Sequence, residues 1–147
     1  MTDAQNVDFR SICPIATGLD IIGDKWTLLI LRDMLWGHKT MFNEFRESIE
    51  HIPSKMLSNR LKKLESLDYI SKNKGQTNKK NIYYFLKDKG LETAPIMIEI
   101  GLFTTNNYFE HLGETYTKDL KKNKKNKESY ILELVIKYKT FKKSIHI

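Results

Sequence analysis

Apolar positions recur along this chain with two different periods, and the change of period divides it into elements. Cys13-Pro14 opens a stretch in which Ile15, Leu19 and Ile22 fall at helical spacing. Proline suits a first helical turn because the N–H it lacks would have no partner there. Gly23-Asp24 punctuates this helix, and from Lys25 to Trp36 the positions Trp26, Leu29, Ile30, Met34 and Leu35 predict a second, largely buried one ended by Gly37. After the basic turn His38-Lys39-Thr40, the residues Phe42, Phe45 and Ile49 mark a short third helix, followed by the break Glu50-His51-Ile52-Pro53. Ser54 is then a good N-cap, and Leu57, Leu61 and Leu64 lay one apolar stripe against the preceding helices.

Beyond Leu67-Asp68 the period falls from that of a helix to that of a strand. Tyr69–Lys74 and Asn81–Leu86 read as strands joined by Gly75-Gln76-Thr77-Asn78-Lys79-Lys80, a β-hairpin with a polar, basic tip. Gly90 ends that region. Leu91 to Phe109 returns to helix, with Leu91, Pro95, Ile98, Leu102 and Phe103 on an apolar face and no lysine or arginine, which makes it a candidate for a dimer contact. Residues 1–116 are therefore expected to form one domain that carries its own dimerisation helix. Residues 117–147 are expected to form a solvated basic linker, Lys118 to Lys127, and an amphipathic helix carrying Ile131, Leu134, Val135, Tyr138 and Phe141. That stripe suits packing on the protein's own dimer better than on a membrane.

Charge sharpens the picture once it is divided along the chain. The net +7 of the 147 residues resolves into −2 for 1–36, +6 for 37–90, −4 for 91–116 and +7 for 117–147. A basic block inside the folded region is the electrostatic footprint of a phosphate-backbone binder, whereas that of the tail is equally well read as abundant lysine. The single cysteine, Cys13, excludes an internal disulfide framework and fits a reducing compartment. No run approaches the roughly 18 apolar residues of a membrane span. The polar stretch Met1 to Arg10 is no leader, so a cytoplasmic protein without a membrane partner is expected.

Two short helices separated by a tight turn, the second with a polar face, are what a helix-turn-helix needs, because the N-terminal turn of the second enters the major groove. That face presents Lys55, Ser58, Asn59 and Lys62, which can hydrogen-bond base edges or phosphates. A hairpin directly after it is a wing, whose lysines add sequence-independent affinity along the minor groove. The candidate DNA-contacting set is Lys39, Thr40, Ser54, Lys55, Ser58, Asn59, Arg60, Lys62, Lys72, Lys74, Lys79 and Lys80. The fold class is α+β, mainly α: a winged helix-turn-helix with a two-stranded wing and flanking dimerisation helices. The four histidines, His38, His51, His111 and His146, show no paired metal-ligand spacing, and neither a glycine-rich phosphate loop nor a nucleophile elbow is present. Neither enzyme chemistry nor a cofactor or metal is expected, although Cys13 and a distant histidine could still meet in space as a nucleophile pair. A winged-helix interaction module that does not touch DNA, and a regulator sensing a small ligand, stay open as alternatives. Cys13 stands where the free N–H groups of a helix start favour negative charge, which would make its thiol more reactive than most; a small side chain filling an interface is the competing role.

Cys13-Pro14 with the run Leu19 to Arg32, then Phe42-Asn43-Glu44-Phe45, Ile52 to Glu65, and Ile82 to Leu86 through Gly90, resembles HxlR-type winged-helix regulators, relatives of the MarR group, over roughly residues 9–109. The resemblance implies a homodimer built through the first and last helices of that core, binding double-stranded DNA at a two-fold operator. It also implies that Cys13 matches a cysteine that several members use to sense oxidants, quinones or aldehydes. The chain departs from the family pattern at Ala16-Thr17, where a basic and an acidic residue are usual, at Lys87 in place of a frequent threonine, and at Phe103 in place of a common tryptophan.

Overall fold

The computed structural model describes residues 7–115 and 117–147. Four helices, α1 (Pro14–Ile22), α2 (Thr27–Leu35), α3 (Phe42–Arg46) and α4 (Ser54–Ser66), precede an antiparallel hairpin of β1 (Ile70–Lys74) and β2 (Ile82–Leu86). The chain then continues through α5 (Asp88–Leu91), α6 (Ala94–Leu112), α7 (Lys118–Lys122) and α8 (Lys127–Ser144). The hairpin pairs Ile70 with Leu86 at its root and Lys74 with Ile82 towards its tip. On the outer edge of β2 the N–H of Tyr84 donates to the Thr40 carbonyl at 2.7 Å, so the α2–α3 segment lies along the sheet. The architecture is the winged helix-turn-helix that the hydrophobic pattern predicts.

One apolar core runs through it. Ile30, Leu31, Met34 and Leu35 of α2 meet Phe45 of α3, the stripe Leu57, Leu61 and Leu64 of α4, and Ile70 and Leu86 at the hairpin root. Ile98 and Leu102 of α6 and Leu134 and Tyr138 of α8 complete it. Fully burying a side chain of this size is worth about 1.5–3 kcal/mol, and the stripe on α4 supplies three of them, which fixes how that helix sits.

Local chemistry sets the boundaries and departs from expectation in a few places. Pro14 is the first residue of α1, as expected. At α4 the flanking residue is Pro53, whose carbonyl accepts from the Leu57 N–H at 2.9 Å; Ser54 is already helical and its hydroxyl caps nothing. Ile49 lies beyond the end of α3 and is exposed rather than part of a stripe. Gly90 does not terminate a segment but sits inside α5, where a Cβ would stand 2.3 Å from the Tyr69 carbonyl oxygen; only glycine permits that approach. The apolar residues of the following segment divide between two faces: Leu91, Ile98 and Leu102 enter the core, while Pro95 and Phe103 point outward beside Ile96 and Ile100.

The basic stretch expected to be a linker holds α7, whose Leu120 packs so closely on α6 that a Cβ on Gly101 would lie 2.7 Å from it. The expected domain boundary at residue 116 falls on a residue outside those described, as do residues 1–6 of the polar N-terminal stretch. Among the described residues no helix is long and apolar enough to cross a membrane.

Candidate nucleic-acid interface

The helix-turn-helix is held by a polar network between α2 and the turn that precedes α4. Arg32 donates from both terminal nitrogens to Glu50, at 2.6 and 3.0 Å, and from Nε and Nη2 to Asp33 Oδ1, at 2.9 and 2.7 Å. The other oxygen of Asp33 takes the Lys39 ammonium at 3.0 Å and the Ser48 hydroxyl. The hydrogen bonds that Arg32 donates to Glu50 raise the guanidinium pKa against the opposing effect of burial, with Asp33 adding to the rise; the same bonds hold Glu50 below the usual carboxylate range. His51 then turns the chain with a positive φ of 54°, its N–H on the Ser48 carbonyl at 2.9 Å. Bidentate pairing of this kind fixes geometry as well as energy, so the turn delivers α4 at a set angle to α2.

A second anchor joins α2 and α4 at the other end. Asp24 accepts from the N–H groups of Trp26 and Thr27 at 2.9 and 3.0 Å and from the Thr27 hydroxyl, and pairs with Arg60 Nε at 3.0 Å. Burial would raise its pKa, but the Thr27 hydroxyl, the two N–H groups and Arg60 outweigh it and bring it down to about 2. Lys63 of α4 donates to the carbonyls of Asp20 and Ile21 at 3.0 and 3.1 Å and so closes the C-terminal end of α1.

These anchors redirect three of the residues expected to touch DNA. Lys39 is spent on Asp33 and on the Ser48 hydroxyl, 2.9 Å away. Thr40 is buried and its hydroxyl lies 3.2 Å from Glu44, a residue that also reaches back to the N–H groups of Thr40 and Met41. Arg60 faces Asp24. The remaining nine are differently placed. Ser54, Lys55, Asn59 and Lys62 are exposed on α4 opposite its leucines, with Ser58 half-buried beside them. Lys72 and Lys74 are exposed two apart on β1, hence on one face of the hairpin, and Lys79 and Lys80 are exposed at its tip.

The tip is an ordered turn. The Gly75 N–H donates to the Asn81 carbonyl at 2.9 Å, the Asn81 N–H to the Asn78 carbonyl at 3.0 Å, and the Lys80 N–H to Asn78 Oδ1 at 3.0 Å. A polar helical face free of partners among the described residues, next to a structured basic hairpin, can follow a phosphate backbone while presenting amide and ammonium groups to base edges. The anchoring role of Asp24 was open to sequence reasoning, since an aspartate shortly before an apolar-periodic run is a helix-start signal. The Arg32–Glu50 pair, 18 residues apart, carried no comparable signal.

Cys13 is exposed and occupies the N-cap position of α1. Its carbonyl accepts from the Thr17 N–H at 2.9 Å and its N–H donates to the Ser11 hydroxyl at 3.2 Å. Around it Phe9, Ile12, Ile15 and Leu19 are exposed, and α1 buries none of its side chains. Among the described residues no group of three histidine, cysteine, aspartate or glutamate side chains is arranged to hold a metal ion.

The likeness to known proteins falls on this part of the chain. Over 98 residues, 67% of this chain and 75% of the relative, it is 33% identical to the uncharacterized HTH-type transcriptional regulator YdeP of Bacillus subtilis (strain 168). The crystal structure of PA1607, a candidate transcription factor, superposes with a TM-score of 0.60 at 29% identity, covering 67% of this chain and 68% of that one. The redox regulator HypR in its oxidized form superposes with a TM-score of 0.57 at 27% identity, covering 65% of this chain and 97% of that one. Residues 21–111, which span the last turn of α1 to the end of α6, match the HxlR-like helix-turn-helix family. The chain therefore belongs to that family of transcriptional regulators, which are not enzymes.

Proposed function

We propose that the protein acts as a homodimer that binds a two-fold operator sequence-specifically and that Cys13 makes it responsive to oxidants or electrophiles. The observation that carries the DNA reading is the exposed set Lys55, Asn59 and Lys62 on α4, backed by three buried leucines and flanked by the Lys72, Lys74, Lys79 and Lys80 hairpin. Support for the dimer comes from the apolar surfaces left uncovered on one copy: Ile15 and Leu19 on α1, and Ile96, Ile100 and Phe103 on α6. Lining such a face with a second copy buries it in a two-fold contact. Support for sensing comes from Cys13, exposed at the start of α1 in the middle of the first of these surfaces, and from the redox role of the relative HypR. Modification of the thiol would then alter the spacing of the two recognition helices.

The test is a titration of DNA from upstream of the protein's own gene, and of unrelated duplex, with wild type and Cys13→Ser before and after mild oxidant or quinone. The expected result is preference for the upstream DNA, weakened by oxidant in wild type only. Binding to neither duplex would favour an interaction module instead, and equal affinity for both would remove the sequence specificity. Equal affinity of the two proteins in all conditions would reduce Cys13 to packing.

A further inference from the structure

The C-terminal helix α8 lies wholly outside the family-matching residues 21–111, yet it enters the core at the root of the wing. In an antiparallel hairpin, alternate N–H groups of a strand point away from its partner, and on β2 these are Ile82, Tyr84 and Leu86, the last two lying towards the root. Tyr84 is served by the Thr40 carbonyl and Leu86 by the Tyr138 hydroxyl, each at 2.7 Å. The carbonyl of Leu86 takes the Lys142 ammonium at 3.2 Å, one helical turn further along α8. The segment bearing Thr40 also rests on α8: His38, held at a positive φ of 51°, stacks on Phe141 with ring centroids 4.4 Å apart and planes 14° apart. At the other end of the contact the Trp36 indole N–H donates to the Tyr130 hydroxyl at 3.2 Å.

Of the two groups that serve Tyr84 and Leu86, Tyr138 thus belongs to α8 itself and Thr40 lies on a segment braced against α8 through His38. Tyr138 is 0% exposed, so without its hydroxyl the Leu86 N–H would face apolar surroundings with nothing to replace it. We infer that α8 sets the direction of the wing, and that Tyr138 is a positioning residue for DNA binding that acts through the hairpin lysines. This rests on the DNA-binding reading above.

The experiment uses the full chain and a duplex of arbitrary sequence at several salt concentrations, with wild type, Tyr138→Phe, Lys79→Ala/Lys80→Ala and the combined variant. Tyr138→Phe keeps the ring and removes only the hydroxyl. Wild type should bind. Tyr138→Phe should bind about three- to tenfold more weakly with a shallower salt dependence, because removing this hydrogen bond frees the wing rather than the fold. In the Lys79→Ala/Lys80→Ala background the same change should add little, since the lysines through which it acts are already absent. Hydrogen exchange without DNA should quicken at Leu86 and neighbouring hairpin amides while α4 is unchanged. Should Tyr138→Phe lower the melting point too far for comparison, Lys142→Gln, at the surface end of the same edge, carries the test with a smaller effect in the same direction. Unchanged affinity, or a drop of the same size with and without the wing lysines, would overturn the inference while leaving DNA binding intact. Failure of wild type to bind any duplex would instead remove the reading on which it rests.

Discussion

Helices α1 and α4 are both amphipathic on paper and end up in opposite circumstances. The three leucines on α4 are at most 2% exposed, whereas Ile15 of α1 is 75% exposed and no residue of that helix is buried. The same contrast divides α6 along its length, with Ile98 and Leu102 in the core and Ile100 and Phe103 in solvent on one copy. An apolar stripe at helical spacing states that a helix needs a partner. It does not state which chain provides it. What separates the two cases is the polar scaffolding: α4 is tied to the α2 region twice, ahead of its first turn through Arg32–Glu50 and at mid-helix through Asp24–Arg60, while among the described residues the tie from α1 to the body is the Lys63 cap on its last turn.

Ranked by their effect on the folded chain, four changes test this contrast. Leu61→Ala removes a core side chain from α4 and should lower stability by about 2–5 kcal/mol in denaturant titrations. A cost no larger than that of a surface substitution would mean α4 is not seated as described. Asp24→Asn comes next. The pKa of Asp24 is brought from 3.8 down to about 2 in the fold, so its charged form stabilises the protein above pH 4, and that contribution disappears as the pH falls through 2. The variant should therefore lose about 2 kcal/mol at neutral pH and match wild type near pH 2. A constant gap across the acid range would show that the carboxylate is not the anchor.

Ile100→Ser alters the uncovered face of α6 and should change single-chain stability by less than about 0.5 kcal/mol. Its effect should appear in sedimentation, as a halved mass at micromolar concentration. A monomeric wild type would break the comparison at its root. Lys79→Ala/Lys80→Ala should leave stability untouched and reduce the slope of log affinity against log salt by about 0.9 for each phosphate no longer neutralised. An unchanged slope would place the wing tip away from DNA.

Much of this arrangement was legible in residue order because it rests on neighbours in the chain. Leu57, Leu61 and Leu64, the hairpin with its polar turn, and Pro14 at a helix start all follow from periods and propensities within a few residues. Lys39 and Arg60 were not legible as redirected residues, since Asp33 with Ser48 and Asp24 are brought to them by the fold, whereas Thr40 is claimed by Glu44 only four residues on, a local contact at the start of α3. Charge alone could not tell a lysine that faces solvent from one that braces a turn. The stripe on the C-terminal helix was visible, but its partner was not: Leu134 and Tyr138 settle against α2, α6 and the hairpin root of their own chain. The role of Gly90 likewise turned on its approach to Tyr69, not on its neighbours.

That approach closes the hairpin at its base. The Lys87 N–H donates to the Tyr69 carbonyl at 3.0 Å, the Lys89 ammonium to the Leu67 carbonyl at 3.0 Å, and Gly90 presses on the same Tyr69 oxygen. The chain leaves the body and returns to it at one point. The tip beyond Lys74 and Ile82, past the residues that the core, Thr40 and Tyr138 hold, is a graft, free to vary in length and reach without disturbing the seam. Closing a loop becomes only about 0.6 kcal/mol harder for each doubling of its length. A lineage of such proteins can therefore lengthen, shorten or recharge the tip to suit new DNA while the scaffold beneath stays as it is.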